Sequence, residues 1–353
     1  MEIKRGYPQP LWRLTLASED ITQRIQPRLM QLTLTDNRGM EADQLDLTLD
    51  DSDGRLDIPT RGASIHLSLG WSDTGLIDKG SYTVDEVEHS GTPDQLTIRA
   101  RSADLRQGIT TKKERSWHQT TVGAIVRTIA AENELWPSVS PDLEAQPVAH
   151  LDQTSESDAN LLTRLAEMFD AVSTVKAGRL LFYKIGRGMT VSGKELGRVS
   201  IARKDGDRHR FSVADRDACT AVTASYYDTK AGKKAEVTIR REKGEDGEKL
   251  DHSGDNTKTL RHTYANKANA MLAANAALDQ AARGVSTFSL TLARGRPDLF
   301  PELPASVSGW KPAIDGTDWL IEKVTHRLSP GGLVTELEFE RGIDGEGQEE
   351  VAE

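Results

Sequence analysis

Two carboxylates, Glu156 and Asp158, come closest in type and spacing to a catalytic pair. Glycosidases use two carboxyl groups at a defined separation, one as the acid and the other as the base or nucleophile. These two, however, belong to the run Ser155-Glu156-Ser157-Asp158, directly before an apolar pattern of helical period. Hydroxyl and carboxylate groups in that position accept hydrogen bonds from the free amides of the first helical turn. The run therefore predicts a helix-capping motif rather than an acid pair.

Residues that ligate metals form no recognisable site in the sequence. The run Asp50-Asp51-Ser52-Asp53-Gly54 suggests a calcium loop, but it would put Leu49 at the first ligand position and Thr60 at the twelfth, where a bidentate glutamate is needed. The eight histidines include no His-Glu-x-x-His motif and no pair at helical ligand spacing. Cys219 is the only cysteine, which excludes an intrachain disulfide and a cysteine-clustered zinc site. We therefore predict no metal.

Signatures of nucleotide chemistry are also missing. The chain has no Gly-x-Ser-x-Gly elbow, no phosphate loop and no dinucleotide fingerprint. The basic doublets Lys233-Lys234 and Arg240-Arg241 stand beside acidic residues, so a solvated loop explains them better than a nucleic-acid-binding patch. The formal net charge of -10 argues against a protein that grips phosphate backbones. The sequence thus predicts no catalytic residue and no cofactor.

Tryptophans are the candidates for positions at subunit interfaces, because they are favoured both in cores and at interface centres. Trp71 and Trp310 each stand beside a turn that contains glycine or proline. We predict both as subunit contacts, and ordinary burial remains an equal alternative. The sequence alone does not separate the two roles.

The elements that must position these residues belong to a soluble, globular chain of two or three domains. Its 353 residues are 37% hydrophobic and 28% charged, which is typical neither of a disordered chain nor of a fibrous repeat. The N-terminus has no apolar stretch like that of a signal peptide, and no apolar run approaches the ~20 residues of a membrane helix. We expect synthesis in a cytoplasm and no stable membrane insertion.

Residues 1–106 predict a first β-barrel domain. Short segments of alternating apolar and polar residues follow one another, separated by polar or glycine-containing turns. Residues 45–50 give the clearest example, because every apolar side chain falls on one face of the strand. Several half-buried strands of this kind are typical of a barrel or a sandwich.

Residues 107–210 predict a helical and hairpin insert. After Thr120, the predicted N-cap, apolar residues recur every three or four positions to about Asn133. The segment 172–183 indicates a hairpin that turns at Ala177-Gly178. A second helix follows the capping motif, and its predicted buried face consists of Leu161, Leu162, Leu165, Ala166 and Phe169.

Residues 211–342 predict a second β-barrel domain, with one alanine-rich helix at 265–284 and a charged loop at 240–256. In its last strand Leu337 and Phe339 face one way, and three carboxylates face the other: Glu336, Glu338 and Glu340. The tail 343–353 is acidic and predicted to be disordered. The fold class is therefore mainly β with α insertions (α+β), with two β-barrel-like domains and a helical and hairpin insert.

A series of motifs between about residues 30 and 185 resembles a known family, and the resemblance continues only as a pattern through the second β domain. Its most specific stretch covers 153–158 and then Leu162-Thr163-Arg164-Leu165-Ala166. The other motifs are Asp50, Asp53-Gly54, Pro59, Gly62, Leu67-Ser68-Leu69-Gly70-Trp71, Gly80, Val84-Asp85-Glu86-Val87, Gly91, Pro93, Ala100-Arg101-Ser102-Ala103-Asp104-Leu105 and Arg115-Ser116-Trp117. The family is the late-control D family of phage tail hub proteins, which is related to the hub half of the VgrG proteins of type VI secretion. Asp170 stands where the family is expected to have glycine, and this departure concerns only the local turn.

The resemblance implies the structural hub of a contractile phage tail, or of a headless bacteriocin (tailocin) baseplate, made in the cytoplasm of a bacterial host. Its two barrel-like tube domains would pack about a three-fold axis as a homotrimer and form a ring of near six-fold symmetry. The ring would adapt the hexameric tail tube to the trimeric spike, and would also contact the tape-measure protein and other baseplate proteins. The spike is expected to be a separate protein, because the chain ends before any spike-like β-helix.

DNA would be only passing cargo in such a ring. We expect carboxylates on the inner wall, including the face formed by Glu336, Glu338 and Glu340, to repel it.

Two other functions remain open at this point. A cell-wall hydrolase of the tail tip would need an acid pair that converges in a cleft. A nucleic-acid-binding late regulator would bind DNA tightly and with a steep dependence on salt. We predict a structural protein and not an enzyme.

Overall fold

The computed structural model describes residues 7–102, 107–190, 192–214, 219–241, 256–342 and 348–351, and these form a mainly β protein with helical insertions. The first part of the chain contains β1 Pro10–Leu16, β2 Glu19–Asp20, α1 Thr22–Ile25, a 3-10 turn Gln26–Arg28, β3 Leu29–Asp36, β4 Gln44–Asp50, β5 Ser64–Trp71, β6 Gly75–Ser90 and β7 Gln95–Ser102. Alternation directs every second side chain into a common core, as Leu45, Leu47 and Leu49 of β4 show.

The insert packs two amphipathic helices against a hairpin. Its elements are α2 Gln107–Thr110, β8 Lys112–Thr121, α3 Val122–Glu132, β9 Trp136–Val139, α4 Pro141–Glu144, β10 Pro147–Ser157, α5 Asp158–Met168, β11 Ala171–Lys176 and β12 Arg179–Lys184. Helices α3 and α5 bury the faces that their period predicts, in a core that also contains Phe182. The N-cap of α3 is Thr121 and not Thr120, because the Thr121 hydroxyl accepts a hydrogen bond from the amide of Ala124 at 3.2 Å. The hairpin of β11 and β12 turns at Ala177-Gly178, as predicted.

The last part of the chain returns to strands and carries the longest helix among the described residues. Its elements are β13 Val199–Ala202, a 3-10 turn Arg203–Asp205, β14 Gly206–Val213, β15 Ala221–Asp228, β16 Lys233–Arg241, β17 Thr257–Tyr264, α6 Lys267–Gly284, β18 Ser286–Leu292, β19 Pro304–Ser308, α7 Pro312–Asp315, β20 Trp319–Ser329, β21 Gly332–Arg341 and β22 Gln348–Val351. No described helix is long and apolar enough to cross a membrane.

One sheet of thirteen strands runs through both predicted β domains. Its order is β14-β18-β21-β20-β3-β4-β7-β6-β5-β1-β2, with β19 attached to β20 and β13 attached to β19. Strands β3 and β20 pair antiparallel, from Leu32 opposite Leu328 to Asp36 opposite Val324. Leu328 and Leu333 also pack into the core of the first part. Backbone hydrogen bonds and a shared core therefore join the two barrel-like halves.

A smaller sheet of four strands, in the order β17-β15-β16-β22, lies apart from the large one. Helix α6 covers it, with Ala270 and Leu278 packed against Val222 and Ile239. This helix spans Lys267–Gly284, close to the predicted 265–284, and Asn266 is its N-cap. Strands β15, β16 and β17 lie inside the predicted second barrel domain, 211–342, but do not extend the barrel sheet, and β22 lies beyond that domain. The domain limits themselves stay predictions.

The predicted charged loop and the predicted tail differ in part from what the structure shows. Of the loop at 240–256, Arg240 and Arg241 end β16, and 242–255 lie outside the described residues. Of the tail at 343–353, predicted to be disordered, residues 348–351 form β22, which pairs antiparallel with β16. The free edge of β16 offers backbone donors and acceptors, and this is the physical reason for the added strand. Residues 343–347 and 352–353 lie outside the described part.

Candidate functional site

A group of buried charges lies where the parts of the chain meet, and we call it the charged junction. Arg38 follows β3, Asp170 follows α5, Arg283 lies in the last turn of α6, Glu302 precedes β19, and Glu340 lies in β21. Each of the five side chains is at most 15% exposed. The junction thus holds one side chain from the first part, one from the insert and three from the last part of the chain.

Ion pairs connect these five groups. The Arg38 Nε atom lies 2.6 Å from Glu302 Oε1, and its Nη1 lies 2.6 Å from Glu340 Oε1. Arg283 Nη1 donates to Asp170 at 2.9 Å, and Arg283 Nε lies 3.4 Å from Glu340 Oε1. Three carboxyl groups thus share two guanidinium groups. Burial raises the pKa of Glu302, although the Arg38 charge opposes the shift. A raised pKa is expected for one carboxyl group of the junction, because the carboxyl groups outnumber the guanidinium groups.

A second ion cluster ties the insert to the first part. Lys176 of β11 contacts Asp36 at 2.5 Å and Asp43 at 2.6 Å. Burial and the neighbouring Asp36 carboxylate raise the pKa of Asp43 to about 6, and Lys176 opposes the shift. Removing either partner of such a pair leaves a buried charge without compensation, so these contacts fix the position of the insert.

A cavity of about 360 Å³ lies beside the junction. Its walls come from the first part, the insert and the last part, and the mainly apolar lining also includes the charged residues Asp36, Arg38, Lys176 and Glu302. Met189 and Phe300 also line it, and they are 45% and 41% exposed. No group of three or more His, Cys, Asp or Glu side chains in the described residues is placed to hold a metal ion.

The four residues of the predicted capping motif have different roles in the structure. Ser157 is the N-cap of α5, and its hydroxyl accepts a hydrogen bond from the amide of Asn160 at 3.2 Å. Ser155 and Glu156 instead lie in β10, where Ser155 adopts a positive φ of 48°. Asp158, the first residue of α5, is fully buried.

Both carboxylates that resembled a catalytic pair are neutralised in separate ion pairs. Glu156 accepts from Arg164 at 2.7 Å, whereas Asp158 contacts Lys113 and Arg115 at 2.6 Å each. Burial raises the pKa of Asp158, but hydrogen bonds from Lys113 and neighbouring groups outweigh it, so its pKa is below the ordinary value. A general acid at neutral pH needs the opposite shift. The geometry therefore supports a structural role for both residues.

The two tryptophans predicted as subunit contacts both pack within the chain. Trp71 is 9% exposed, and its Nε1 donates to the carbonyl of Gly295 at 2.7 Å. The Arg294 guanidinium lies 4.9 Å from the Trp71 ring centroid, so this residue links the first part to the last. Trp310 is half-buried and packs against Phe288, with ring centroids 5.4 Å apart. Trp136, for which no contact was predicted, is 75% exposed.

The three carboxylates predicted to face the lumen are all in ion pairs. Glu336 lies 3.2 Å from Arg327, Glu338 lies 3.7 Å from Lys323, and Glu340 belongs to the charged junction. These three side chains therefore do not form an uncompensated acidic wall within the chain.

Two of the free ends of the large sheet were not predicted as sites: β14 has an excess of exposed positive charge although Asp207 is also exposed on it, and β2 carries two exposed carboxylates. Strand β14 pairs only with β18, and Arg208, His209 and Arg210 on it are exposed. The described part of the chain gives neither arginine an ion-pair partner. At the other end, β2 consists of the exposed Glu19 and Asp20 and pairs only with β1. Their nearest cations, Arg24 and Arg13, lie 3.6 Å away in exposed pairs.

The fold that holds these features is that of phage tail proteins. A tail protein from Neisseria meningitidis MC58 has a TM-score of 0.68 with this structure at 15% sequence identity, covering 94% of this chain and 96% of that one. A component of the type VI secretion system of E. coli has a TM-score of 0.51 at 13% identity, covering 91% of this chain and 75% of that one.

Sequence comparison identifies the family. The family model described as phage tail baseplate hub (GPD) matches residues 25–332. The probable baseplate hub protein of Escherichia phage 186 is 49% identical over 94% of this chain and 92% of its own length, and that of Escherichia phage P2 is 48% identical over 94% and 93%. This chain therefore belongs to the phage tail baseplate hub family. The family assignment from the motifs is confirmed, as are the mainly β fold with α insertions and the function of a baseplate hub in a virion tail.

Proposed function

We propose that three copies of this chain close a ring that adapts a hexameric tail tube to a trimeric spike. The observation that carries the proposal is the large sheet, which passes through both barrel-like halves and, besides β13, leaves β14 and β2 with a single partner strand each. An open sheet edge offers unpaired backbone groups that another copy can satisfy. A head-to-tail contact between two different ends of one chain generates a ring when its rotation closes.

Charge at the two ends supports this contact. Arg208 and Arg210 at the β14 end are without ion-pair partners among the described residues, and Glu19 and Asp20 at the β2 end are exposed. Opposite charges across an interface favour the correct partner and its register. The positive end of one copy would therefore meet the negative end of the next.

The test is the mass of the full chain in solution, alone and mixed with a candidate spike protein. The double variant Arg208→Glu/Arg210→Glu should remain monomeric under conditions where the unchanged chain is a trimer. Glu19→Arg/Asp20→Arg should have the same effect, and combining all four changes should restore the trimer because the charges are again complementary.

Lys233→Glu/Lys234→Glu is the matched control, since it reverses two exposed charges on β16, away from both ends of the large sheet. It should leave the trimer intact. A chain that stays monomeric both alone and with the spike would contradict the proposal. So would trimer formation by both double variants, in which the charges at one end are reversed.

The ring would also contact the tape-measure protein and other baseplate proteins, after synthesis in the cytoplasm of a bacterial host. DNA would pass through it as cargo, and the net charge of -10, rather than the paired Glu336 face, supports repulsion from the wall. The protein would have no catalytic activity, because Glu156 and Asp158 are held in separate ion pairs. Peptidoglycan zymography with the purified chain should show no cleared band, and a cleared band lost in Glu156→Gln would favour the hydrolase.

A further inference from the structure

Two histidines that are far apart in the sequence face each other on the ribbon of β8 and β10. His118 and His150 are direct cross-strand partners. Their Nδ1 atoms lie 3.0 Å apart, and the rings have centroids 4.6 Å apart. His118 is exposed and the His150 side chain is 40% exposed, so both rings are accessible to solvent. The structure therefore brings together two imidazole nitrogens on one accessible face.

A hydrogen-bond chain orients one ring of this pair. The Nε2 atom of His150 lies 2.9 Å from Asp152 Oδ2, and Asp152 Oδ1 accepts from the Ser116 hydroxyl at 2.5 Å. A carboxylate at Nε2 holds the proton there, which leaves the Nδ1 lone pair of neutral His150 directed at His118. A histidine that donates its second ring N–H to a carboxylate is the arrangement that supports metal-ligating imidazoles.

We propose that His118 and His150 bind one divalent ion of the later first-row transition series, such as Ni²⁺, Cu²⁺ or Zn²⁺, through their Nδ1 atoms. Two nitrogens at Zn–N distances of about 2.0–2.1 Å on a tetrahedral ion are roughly 3.3 Å apart, so from the observed 3.0 Å the rings must separate slightly and turn until both lone pairs point at the ion. The neutral His118 ring carries its proton on Nε2 once Nδ1 coordinates. Imidazole ligands suit these ions, whereas Ca²⁺ and Mg²⁺ prefer oxygen.

The site has two protein ligands, and water completes the coordination sphere. Asp152 is a positioning residue, because its carboxylate contacts His150 Nε2 and not the ion. No third ligand among the described residues joins the pair. The site is therefore weaker than a structural metal centre and is not required for folding.

The experiment is calorimetric titration of the full, untagged chain with NiCl₂ and with ZnCl₂. One ion per chain should bind, and His118→Ala and His150→Ala should each weaken binding at least tenfold. Asp152→Asn should weaken binding by about 10-fold to 100-fold while leaving the thermal melting of the metal-free chain unchanged. His66→Ala is the matched control, because His66 also contacts a carboxylate, Asp78 at 3.1 Å, and a hydroxyl, but faces no second histidine.

Cu²⁺ provides an independent readout that does not depend on affinity. Its electron paramagnetic resonance spectrum should show hyperfine coupling to two nitrogens in the unchanged chain and to fewer in either histidine variant. Binding that persists in both histidine variants, or no binding of any of the three ions at millimolar concentration, would overturn the proposal. The measurements need only the single chain, so their outcome is separate from that of the ring.

Discussion

Asp170 combines a left-handed backbone conformation with one half of a buried ion pair. Its φ is 50°, a value that glycine adopts freely and that aspartate and asparagine tolerate better than most residues. This explains why the resemblance predicts glycine here and why the turn still forms. The Asp170 side chain is 9% exposed and pairs with Arg283, which is 5% exposed.

Asp170→Asn should lower the free energy of unfolding by about 2 kcal/mol, because it removes the buried charge-assisted hydrogen bonds to Arg283, which then has only Glu340 as an ion-pair partner, and it keeps a residue that tolerates the same φ. Denaturant unfolding measures the change. Asp73→Asn is the control, since Asp73 pairs with Arg294 at 2.6 Å but both are about half exposed. Its effect should be much smaller, because solvent screens an exposed pair. Equal losses in the two variants would show that burial of the junction does not matter.

The buried His326 makes the stability of the fold depend on pH in the acidic range. It is fully buried, and its Nδ1 lies 2.8 Å from the Thr335 hydroxyl oxygen. Burial, with a further contribution from the Lys79 charge, lowers the pKa of His326 from 6.5 to about 3. Above pH 6.5 the ring is neutral in both the folded and the unfolded chain. Between pH 6.5 and about 3 only the unfolded chain binds the proton, so this group lowers stability as the pH falls.

The contribution should approach about 1.4 kcal/mol per pH unit below pH 6. His326→Asn should be less stable than the unchanged chain at pH 7 and should show a smaller loss of stability between pH 6.5 and pH 4. Urea unfolding at several pH values measures both the stability at pH 7 and its loss between pH 6.5 and pH 4. If the free energy of unfolding changed with pH in the same way in both proteins, protonation of His326 on unfolding would not be the cause of the acid dependence.

For single residues, the sequence reveals the type of side chain but not its partners from distant parts of the chain. Trp71 is a plausible interface residue by type, yet its partner Gly295 is 224 positions away and makes it an internal link. His118 and His150 show no ligand spacing in the sequence, because a strand register brings them together rather than a helix. Only contacts between near neighbours, such as the cap at Ser157, could be predicted.

The N-terminus of α5 is defined by one hydroxyl of the predicted motif. Ser157→Ala removes the acceptor for the Asn160 amide and should cost about 1 kcal/mol of stability. Ser155→Ala is the matched control, because the Ser155 hydroxyl accepts from no amide of α5 and makes only an exposed contact with Glu114 at 3.3 Å. Thermal or denaturant unfolding should separate the two variants. A loss in Ser155→Ala as large as that in Ser157→Ala would contradict the assignment of the cap.

The hairpin of β5 and β6 depends on the absence of a side chain at Gly70. A Cβ atom at Gly70 would lie 1.9 Å from the carbonyl oxygen of Gly75 on the facing strand, so the backbone would have to move. Gly70→Ala should destabilise the protein by about 2 kcal/mol or more. At Gly197 a Cβ would meet nothing within 4 Å, so Gly197→Ala is the control and should be nearly neutral. Similar melting of the two variants would contradict the close approach.

Helices were easier to predict from the sequence than sheets. The periods of α3, α5 and α6 are local, and the predicted buried faces or limits agree with the structure. Strands that alternate do not reveal which sheet they join. For this reason alternation alone places the strands of the small sheet, β15 to β17, with the second barrel, and only the structure shows that they form a separate sheet under α6.

The two barrel-like halves should unfold together, because β3 and β20 share a ladder and Leu328 packs into the core of the first half. Hydrogen exchange read by mass spectrometry at increasing denaturant should expose peptides 29–36 and 319–329 at the same concentration. Exposure of one peptide well before the other would show that the halves are independent domains. The insert, which has its own core, serves as an internal reference.

The pairing of β3 with β20, which joins the two barrel-like halves, could not be predicted from the sequence. Its two strands are separated by almost the whole chain, and nothing in their alternation identifies them as partners. The family resemblance supplied the correct class of protein because its motifs are short local runs of residues, which can be recognised without knowing how the strands pair.

The continuous sheet also determines how the molecule bears force. Pulling the halves past each other along the strands would strain the five residue pairs of β3 and β20 together, rather than breaking them one after another. The Arg38 contacts to Glu302 and Glu340 would resist the same movement. The two halves of one chain therefore resist sliding past each other, and flexing of the proposed ring would occur at the contacts between chains.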